Sequence, residues 1–273
     1  MNYAIQKAGE RFRTWAGWLQ SYHSFSFGHH YHPDKTNFGP LLVLNDDIVA
    51  ANMGFGMHPH RDMEIITIVL SGSLKHEDSL GTSGLVLPGD VQIMSAGTGI
   101  THSEYNASAT DPLSLLQIWI QPNTLNLKPR YGQKTFNKTN NLWQVLVSPF
   151  LTSPQQEETK SLEEKDFKLK DDNSNPLQIF QDAYISQFFS AEDSQINYQP
   201  KYQTSNIFFF LIEGKSSFNH RADAELSDSL NHDSEQIEIS KRDDLRITNI
   251  GLEKISLNLL QSSHILAIEM QID

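Results

Sequence analysis

The sequence of 273 residues contains no cysteine. Disulfide bonds, thiolate metal ligands and cysteine nucleophiles are therefore excluded. Any strong metal site in this chain has to be built from histidine and carboxylate side chains. The absence of cysteine does not select a cellular compartment, although nothing in the chain requires an oxidising one.

The chain also lacks an excess of basic residues and a long apolar run. Its formal net charge of -12 argues against nucleic acid and anionic membranes as direct partners. The apolar stretch "IFFFLI" at 207–212 is far shorter than a membrane span, and the N-terminus has no signal-peptide core. We therefore expect a soluble, cytoplasmic protein with no direct contact to nucleic acid or membrane.

Short runs of β-branched and aromatic residues dominate the chain. Gly, Pro, Asn and Asp separate them at regular spacing, which predicts an all-β antiparallel sandwich or barrel. The clearest runs in the first half cover residues 40–50, 64–79, 83–97, 113–122 and 142–150. Gly72 lies midway between two alternating runs and predicts a tight hairpin turn.

Composition divides the chain into two parts. Residues 151–176 are rich in charged side chains and poor in large apolar ones, which predicts an exposed linker. We therefore predict an N-terminal domain over 1–150 and a C-terminal domain over 177–273. The stretch "FFFLIEGKSSF" weakly echoes "TIVLSGSLKH" as strand, glycine turn and return strand, which favours structural duplication.

Two pairs of side chains carry the chemistry. In "GFGMHPH", His58 and His60 share one face of an extended segment, because side chains alternate along a strand. In "GTGITHSEYN", His102 and Glu104 have the same spacing. Two such pairs on neighbouring strands would bring three imidazoles and a carboxylate to one point, a set that suits a divalent transition metal.

Glu64 is an alternative fourth ligand, because it lies an even number of residues from His58 and His60 and would share their face of an extended segment. In continuous extension it would lie about 13 Å beyond His60, whereas Glu104 would lie only about 6.6 Å beyond His102. Glu64 could reach the metal only if residues 61–63 turn a corner. Spacing favours Glu104 as the ligand and Glu64 as a hydrogen-bond partner that orients an imidazole.

The remaining histidines form no comparable pair. "HSFSFGHHYHP" is interpreted as a polar surface loop or pocket rim, and its role at the entrance stays open. His76, in the polar stretch "KHEDS", is predicted to be solvated. His220, His232 and His264 are isolated, so we predict no metal site in the C-terminal domain.

These motifs resemble the pirin family of the cupin superfamily. "HPHRDMEIITIVLSGSLKHEDSLG" and "PGDVQIMSAGTGITHSEYN" look like the two metal-binding motifs of pirin's N-terminal domain. "GWLQSYHSFSF", "LVLNDDIV" and "LLQIWIQP" resemble the bacterial branch assigned flavonol (quercetin) 2,3-dioxygenase activity. The resemblance is dense over residues 1–150 and thins beyond them.

The resemblance implies a bicupin, with two antiparallel jelly-roll barrels in one chain and a metal only in the first. It implies one divalent metal, usually Fe(II), with Zn, Mn, Ni, Co and Cu as alternatives. The family ligands fall on His58, His60, His102 and Glu104. Glu64 occupies the position whose carboxylate is a ligand in many other cupins, and Glu104 stands where those proteins have a structural asparagine.

The function implied is oxygen-dependent ring opening of a flavonol such as quercetin, with Glu104 accepting or steering the proton of the substrate 3-hydroxyl. A competing hypothesis is a non-enzymatic, iron-dependent sensor that acts through a protein partner, as pirin relatives in nuclei do. A third is a cupin isomerase or hydrolase with the metal as Lewis acid. Oxygen dependence separates the first from the third, and the physiological substrate stays open in each case.

Overall fold

The computed structural model describes residues 2–150, 175–220 and 235–271. Nearly all of the predicted linker, residues 151–174, lies outside these ranges. Within them the chain is strand, turn and two short 3-10 helices, Ala8–Glu10 and Pro33–Lys35. None of the described helices has the length and apolarity that crossing a membrane requires. The all-β prediction is confirmed.

The strands are numbered in chain order. The first fourteen are β1 (Asn2–Gln6), β2 (Phe12–Trp15), β3 (Leu19–His23), β4 (Leu41–Val49), β5 (Gly54–His60), β6 (Glu64–Ser71), β7 (Leu74–Asp78), β8 (Ser83–Val86), β9 (Asp90–Ser95), β10 (Ile100–Asn106), β11 (Leu113–Ile120), β12 (Arg130–Thr135), β13 (Gln144–Pro149) and β14 (Leu177–Ile179). The others are β15 (Ala183–Ser190), β16 (Ser194–Tyr198), β17 (Ser205–Glu213), β18 (Lys215–His220), β19 (Glu235–Ser240), β20 (Asp244–Ile250), β21 (Ile255–Leu259) and β22 (Ser263–Gln271).

The chain divides into two compact units. We call the first the N-terminal barrel (Arg11–Asn137 with Leu146–Ala183) and the second the C-terminal barrel (Met1–Glu10, Lys138–Val145 and Tyr184–Asp273). This division differs in detail from the predicted domains of 1–150 and 177–273. β1, for example, belongs to the C-terminal barrel because it pairs with β20 along its whole length.

The N-terminal barrel is built from two antiparallel sheets. One has seven strands in the order β12-β9-β6-β11-β4-β3-β2, and the other has four in the order β5-β10-β7-β8. The central strands β6 and β9 are buried along nearly their whole length, which explains their continuous apolar and β-branched sequences. β5 is half-exposed by comparison. β13 and β14 belong to neither of these two sheets, and they pair with each other in parallel.

The C-terminal barrel repeats this strand order. Its larger sheet contains β20-β17-β22-β15 and its smaller one β16-β21-β18-β19. Adding eleven to each label in β9-β6-β11-β4 and β5-β10-β7-β8 produces these two orders. The sequence echo between the halves therefore reflects a structural repeat, and the bicupin architecture agrees with the prediction.

The prediction of a hairpin at Gly72 is wrong in one respect. β6 and β7 do not pair with each other but lie in different sheets, so Gly72 forms a corner between sheets. Its φ is +84°, and an added Cβ would lie 2.8 Å from the carbonyl oxygen of Pro112. Gly214, with φ +103°, occupies the same corner between β17 and β18. Both corners require glycine because other residues are strained there.

Candidate metal centre

Three histidines converge on neighbouring strands of the four-stranded sheet in the N-terminal barrel. His58 and His60 share one face of β5, and His58 lies opposite His102 of β10 in the antiparallel register. One ring nitrogen from each of the three lies within 4.8 Å of the other two. The structure thus brings together three of the four side chains that the sequence singled out.

The orientation of the His58 ring directs a nitrogen lone pair toward His102. His58 Nδ1 lies 2.7 Å from the carbonyl oxygen of Gly56. Because a carbonyl oxygen only accepts, Nδ1 carries the proton and Nε2 the lone pair. His58 Nε2 lies 3.0 Å from His102 Nε2. Metal–imidazole bonds of about 2.0–2.1 Å at a right angle place two nitrogens about 3 Å apart, so the pair fits two neighbouring ligands of one ion.

Burial keeps two of the imidazoles neutral. Desolvation lowers the pKa of His102 to about 2, and repulsion from His58, His60 and His76 adds to the effect. Desolvation also lowers the pKa of His60 to about 4, with a contribution from His58. Neutral imidazole is the form that binds metal, so these environments favour coordination near neutral pH.

Glu104 follows His102 on β10, after an irregularity in the pairing with β5. Its buried carboxylate points toward the seven-stranded sheet, where it accepts hydrogen bonds from Gln117 Nε2 at 2.7 Å and Thr67 Oγ1 at 3.3 Å. Desolvation raises its pKa, and the bond from Gln117 partly offsets that rise. Glu104 forms a second candidate ligand group with His102 and His76, all within 4.8 Å. The two groups therefore share His102.

Glu64 lies apart from both groups. It is buried at the start of β6 and its carboxylate accepts a hydrogen bond of 2.7 Å from Ser95 Oγ. Desolvation raises its pKa to about 7, against lowering effects from Ser95, Arg130 and the backbone of Phe180. Among the described residues it belongs to no candidate metal group, and its hydrogen bond runs to Ser95 rather than to an imidazole.

His76 is the residue that sequence reasoning missed. The prediction that it is solvated is wrong, because its side chain is fully buried on β7 and lies 3.0 Å from Asp78 Oδ2 through Nε2. The burial pattern of β7 alternates, with Leu74, His76 and Asp78 buried. This two-residue period, with Leu74 as the apolar marker, was visible in "LKHED" and could have predicted an inward-facing histidine.

Aromatic side chains line one side of the three histidines. The ring of Trp119 lies 4.9 Å from that of His60 at a steep angle, and Phe27 packs on Trp119 at 5.5 Å. Trp119 Nε1 donates to Gln117 Oε1 at 3.2 Å, which connects this wall to the partner of Glu104. The segment after β3 therefore reaches the wall of the site through Phe27.

The histidines of that segment differ in exposure. His29 and His32 are exposed, as expected for a surface loop. His23 is buried and hydrogen-bonded to Asn45 Oδ1 at 2.7 Å, so the surface interpretation is wrong for this residue. Its Nε2 also lies 2.9 Å from Thr14 Oγ1. These contacts make His23 a structural support of the loop.

Comparison with known proteins agrees with this architecture. The pirin family model matches residues 5–120. The quercetin 2,3-dioxygenase of Escherichia coli K12 is 50% identical over 145 residues, which are 53% of this chain and 62% of that protein. The alignment thus spans about three-fifths of the length of this relative.

Solved structures extend the similarity to the whole chain. The crystal structure of bacterial pirin YhhW from Escherichia coli in complex with nickel(II) is 32% identical, with a TM-score of 0.79 and coverage of 100% of both chains. GK1651 from Geobacillus kaustophilus is 21% identical, with a TM-score of 0.69 over 97% of this chain and 94% of that one, and it supports the fold alone.

The fold and the histidine–carboxylate cluster define a cupin metalloprotein, with two jelly-roll barrels and a group able to hold a divalent metal. The chain belongs to the pirin family. The resemblance inferred from the motifs around His58 and His102 is therefore confirmed.

Proposed function

We propose that this protein is a metal-dependent dioxygenase that opens the heterocycle of flavonols such as quercetin. The proposed ligands are His58, His60, His102 and Glu104, holding one divalent transition metal, with Fe(II) as the expected ion and Zn, Mn, Ni, Co and Cu as alternatives. The quercetin 2,3-dioxygenase of Escherichia coli, 50% identical over the matched region, supports the choice of substrate class.

One observation carries the proposal: three histidines converge, with His58 and His102 nitrogens 3.0 Å apart, beside a buried carboxylate that belongs to an overlapping group. These four residues would hold the ion and would leave it accessible to substrate, as catalytic rather than structural sites do. When bound there, the metal supplies Lewis acidity toward the flavonol 3-hydroxyl oxygen and charge transfer toward dioxygen. The histidines hold the ion without carrying charge of their own.

Glu104 is the proposed acceptor of the 3-hydroxyl proton. Burial raises its pKa in the metal-free protein, because desolvation favours the neutral carboxylic acid, so this environment favours a proton on Glu104. Gln117 Nε2 and Thr67 Oγ1 donate to it, which holds the carboxylate in place from the opposite sheet. In this proposal the proton resides on Glu104 while the heterocycle opens with addition of dioxygen and loss of carbon monoxide.

Trp119 and Phe27 supply a surface for a flat aromatic substrate. Trp119 packs against His60, and Phe27 packs against Trp119 at a steep angle. Offset and edge-to-face contacts with such rings favour an aromatic ligand by about 0.5–1.5 kcal/mol per pair. Both side chains are partly exposed, as a substrate-binding wall requires.

The test is oxygen uptake and carbon monoxide release with quercetin, on protein stripped of metal and then reloaded with each ion in turn. We expect turnover only with metal, loss of turnover in His58→Ala, and a fall of at least about 100-fold in kcat for Glu104→Gln, the scale of a lost general base. Glu64→Gln is the matched control, a buried carboxylate outside the proposed ligand set, and should retain turnover.

Other outcomes would reassign the function. Oxygen uptake that is unchanged by chelation or by His58→Ala would refute the mechanism. Metal-loaded protein without turnover, whose affinity for a captured regulator changes with metal oxidation state, would favour the sensor hypothesis. Turnover of a substrate without consumption of dioxygen would favour isomerase or hydrolase chemistry.

A further inference from the structure

The buried pair of His76 and Asp78 has a fixed orientation. Asp78 Oδ1 accepts the backbone N–H groups of Leu80 at 2.9 Å and Thr82 at 3.0 Å. Its other oxygen, Oδ2, lies 3.0 Å from His76 Nε2, and both side chains are fully buried. Because an ionised carboxylate only accepts, His76 Nε2 carries a proton, and in the neutral ring Nδ1 is left with a lone pair.

Two buried ring nitrogens, one in His76 itself and one in the nearby His102, lack hydrogen-bond partners. His76 Nδ1 and His102 Nδ1 are both buried and unpaired among the residues that the structure describes. The two rings lie 5.4 Å apart at 56°. One nitrogen of each lies within 4.8 Å of the other and of a Glu104 oxygen. A buried polar atom without a partner is costly, so this arrangement calls for an interaction.

The register of the sheet explains why the two histidines meet. β7 and β10 pair with His76 opposite Glu104 and Asp78 opposite His102. His76 therefore lies diagonally across from His102, at a distance that side chains on one face of a sheet can span. His76 also packs on the ring of Tyr131 at 4.9 Å, which limits its movement.

We propose that His76 is a positioning residue for His102. In this arrangement, His102 uses Nε2 for the metal and donates its Nδ1 proton to a water molecule, which in turn donates to Nδ1 of His76. Asp78 holds His76 in the accepting tautomer. The series Asp78–His76–His102 sets the ring orientation and basicity of the ligand, the role that a carboxylate or carbonyl usually has behind a metal-bound histidine. The inference rests on the ligand set proposed above.

The experiment is titration of metal-free protein with Co(II), followed by its visible absorption bands and by competition with a chelator. His76→Phe keeps the ring volume without an acceptor, and we expect Co(II) affinity to fall by about 10–100-fold, with altered band positions. In His76→Asn, the asparagine Oδ1 is attached to Cγ, as Nδ1 is in histidine. A hydrogen-bond acceptor therefore remains near the same place, and Co(II) affinity should stay within about threefold of that of the parent protein. His76→Gln, which places its amide at the Nε2 position, should behave like His76→Phe.

His264→Phe is the matched control, since it makes the same change from histidine to phenylalanine at a partly buried position of the C-terminal barrel. It should leave Co(II) affinity and spectrum unchanged. Thermal unfolding of each metal-free variant, followed by circular dichroism, identifies any that fail to fold. The His76→Asn variant then keeps the test valid even where His76→Phe is unstable.

A second measurement does not depend on affinity. In the Zn(II) form, nitrogen-15 NMR of the histidine rings should show His76 as the Nε2–H tautomer and His102 with its proton on Nδ1. The opposite tautomer for His76, or equal Co(II) affinities in the Phe, Gln and Asn variants, would overturn the inference while leaving the proposed ligand set intact. Tight binding of two Co(II) ions, one of them lost in His76→Phe, would make His76 a ligand and also overturn it. Failure of the unaltered protein to bind Co(II) or Zn(II) would overturn both proposals.

Discussion

The two barrels share a strand order but have different interiors. In the N-terminal barrel His60 lies opposite Ile100 and His58 opposite His102. In the C-terminal barrel the corresponding strands, β16 and β21, pair Tyr198 with Ile255 and Ile196 with Leu257. The strands that correspond to β5 and β10 thus carry Ile196, Tyr198 and Leu257 and no histidine.

The surroundings of these positions differ in the same way. Ile196, Tyr198 and Leu257 belong to a large apolar core cluster of the C-terminal barrel, together with Phe209 and Phe218. Tyr198 has a polar atom, but its hydroxyl donates to buried Glu269 at 2.8 Å. That carboxylate also accepts a backbone N–H and the hydroxyl of Ser205, so the polar groups beside Tyr198 are paired with one another.

The N-terminal barrel contains buried polar atoms without hydrogen-bond partners close to the candidate metal centre. Within the described residues, His76 Nδ1, His102 Nδ1, Asp47 Oδ1 and Gln92 Nε2 have no hydrogen-bond partner. Desolvation raises the pKa of Asp47 to about 7, with Asp46 and Glu104 adding to it. The comparison teaches that topology supplies a place for a site, while the side chains facing inward decide whether the place is reactive or is filled as core.

The largest effect should follow from removing the histidine shared by both candidate groups. His102→Ala is expected to weaken binding of a divalent metal by at least about 100-fold, more than the loss of an outer partner causes. A competition titration with a coloured chelator measures this. Leu257→Ala, on the corresponding strand β21 of the C-terminal barrel, should leave metal affinity unchanged, and equal losses in both variants would break the comparison.

The same C-terminal substitution should act on stability instead. Leu257 is fully buried in the apolar cluster, so Leu257→Ala is expected to lower the free energy of unfolding by about 2–5 kcal/mol. Urea unfolding, followed by circular dichroism and tryptophan fluorescence, measures the change. A loss below about 1 kcal/mol would show that this position is not packed as core.

The two glycine corners should respond alike. Gly72→Ala and Gly214→Ala force a side chain into a backbone conformation with positive φ and against a carbonyl oxygen, and each should cost about 1–3 kcal/mol. Gly84→Ala is the control, because its added Cβ meets open space at an ordinary φ. Thermal or urea unfolding compares the three. A large loss of stability at one corner and none at the other would show that the two corners are not structurally equivalent.

The last prediction concerns pH. The folded-state pKa of Glu64 is raised from 4.5 to about 7, so the folded state holds this proton more tightly than the unfolded chain does. Its stabilising contribution is therefore full below pH 4.5 and is lost as pH rises to 7. Glu64→Gln should change the slope of unfolding free energy in this window by at most about 1.4 kcal/mol per pH unit, the limit for one proton.

Urea unfolding of the parent protein and of Glu64→Gln, both metal-free, at several pH values between 4 and 8 tests the predicted change in slope. Asp47 titrates in the same direction and remains in both proteins, so the difference between the slopes isolates Glu64. Parallel slopes would show that Glu64 keeps an ordinary pKa in the folded protein.

Much of the fold could be predicted because local pattern and burial agree. The runs at 40–50 and 113–122 became β4 and β11, since alternating or continuous β-branched residues need no distant information. β5 was harder, because the glycines in "GFGMHPH" have low strand propensity and neighbouring β10 holds this segment extended. β1 could not be assigned to its unit, since its partner β20 lies more than 200 residues away.

The sequence by itself determined the all-β architecture and the repeat. It also placed His58 with His60, and His102 with Glu104, on one face of a strand, because side chains two residues apart point to the same side. Only the tertiary structure decided which side chains from other strands complete the site. Gln117 and Thr67 reach Glu104 from the opposite sheet, and His76 reaches the neighbourhood of His102 from β7. Such meetings depend on strand register and on the separation of the two sheets, which are set by packing of the whole barrel rather than by local sequence.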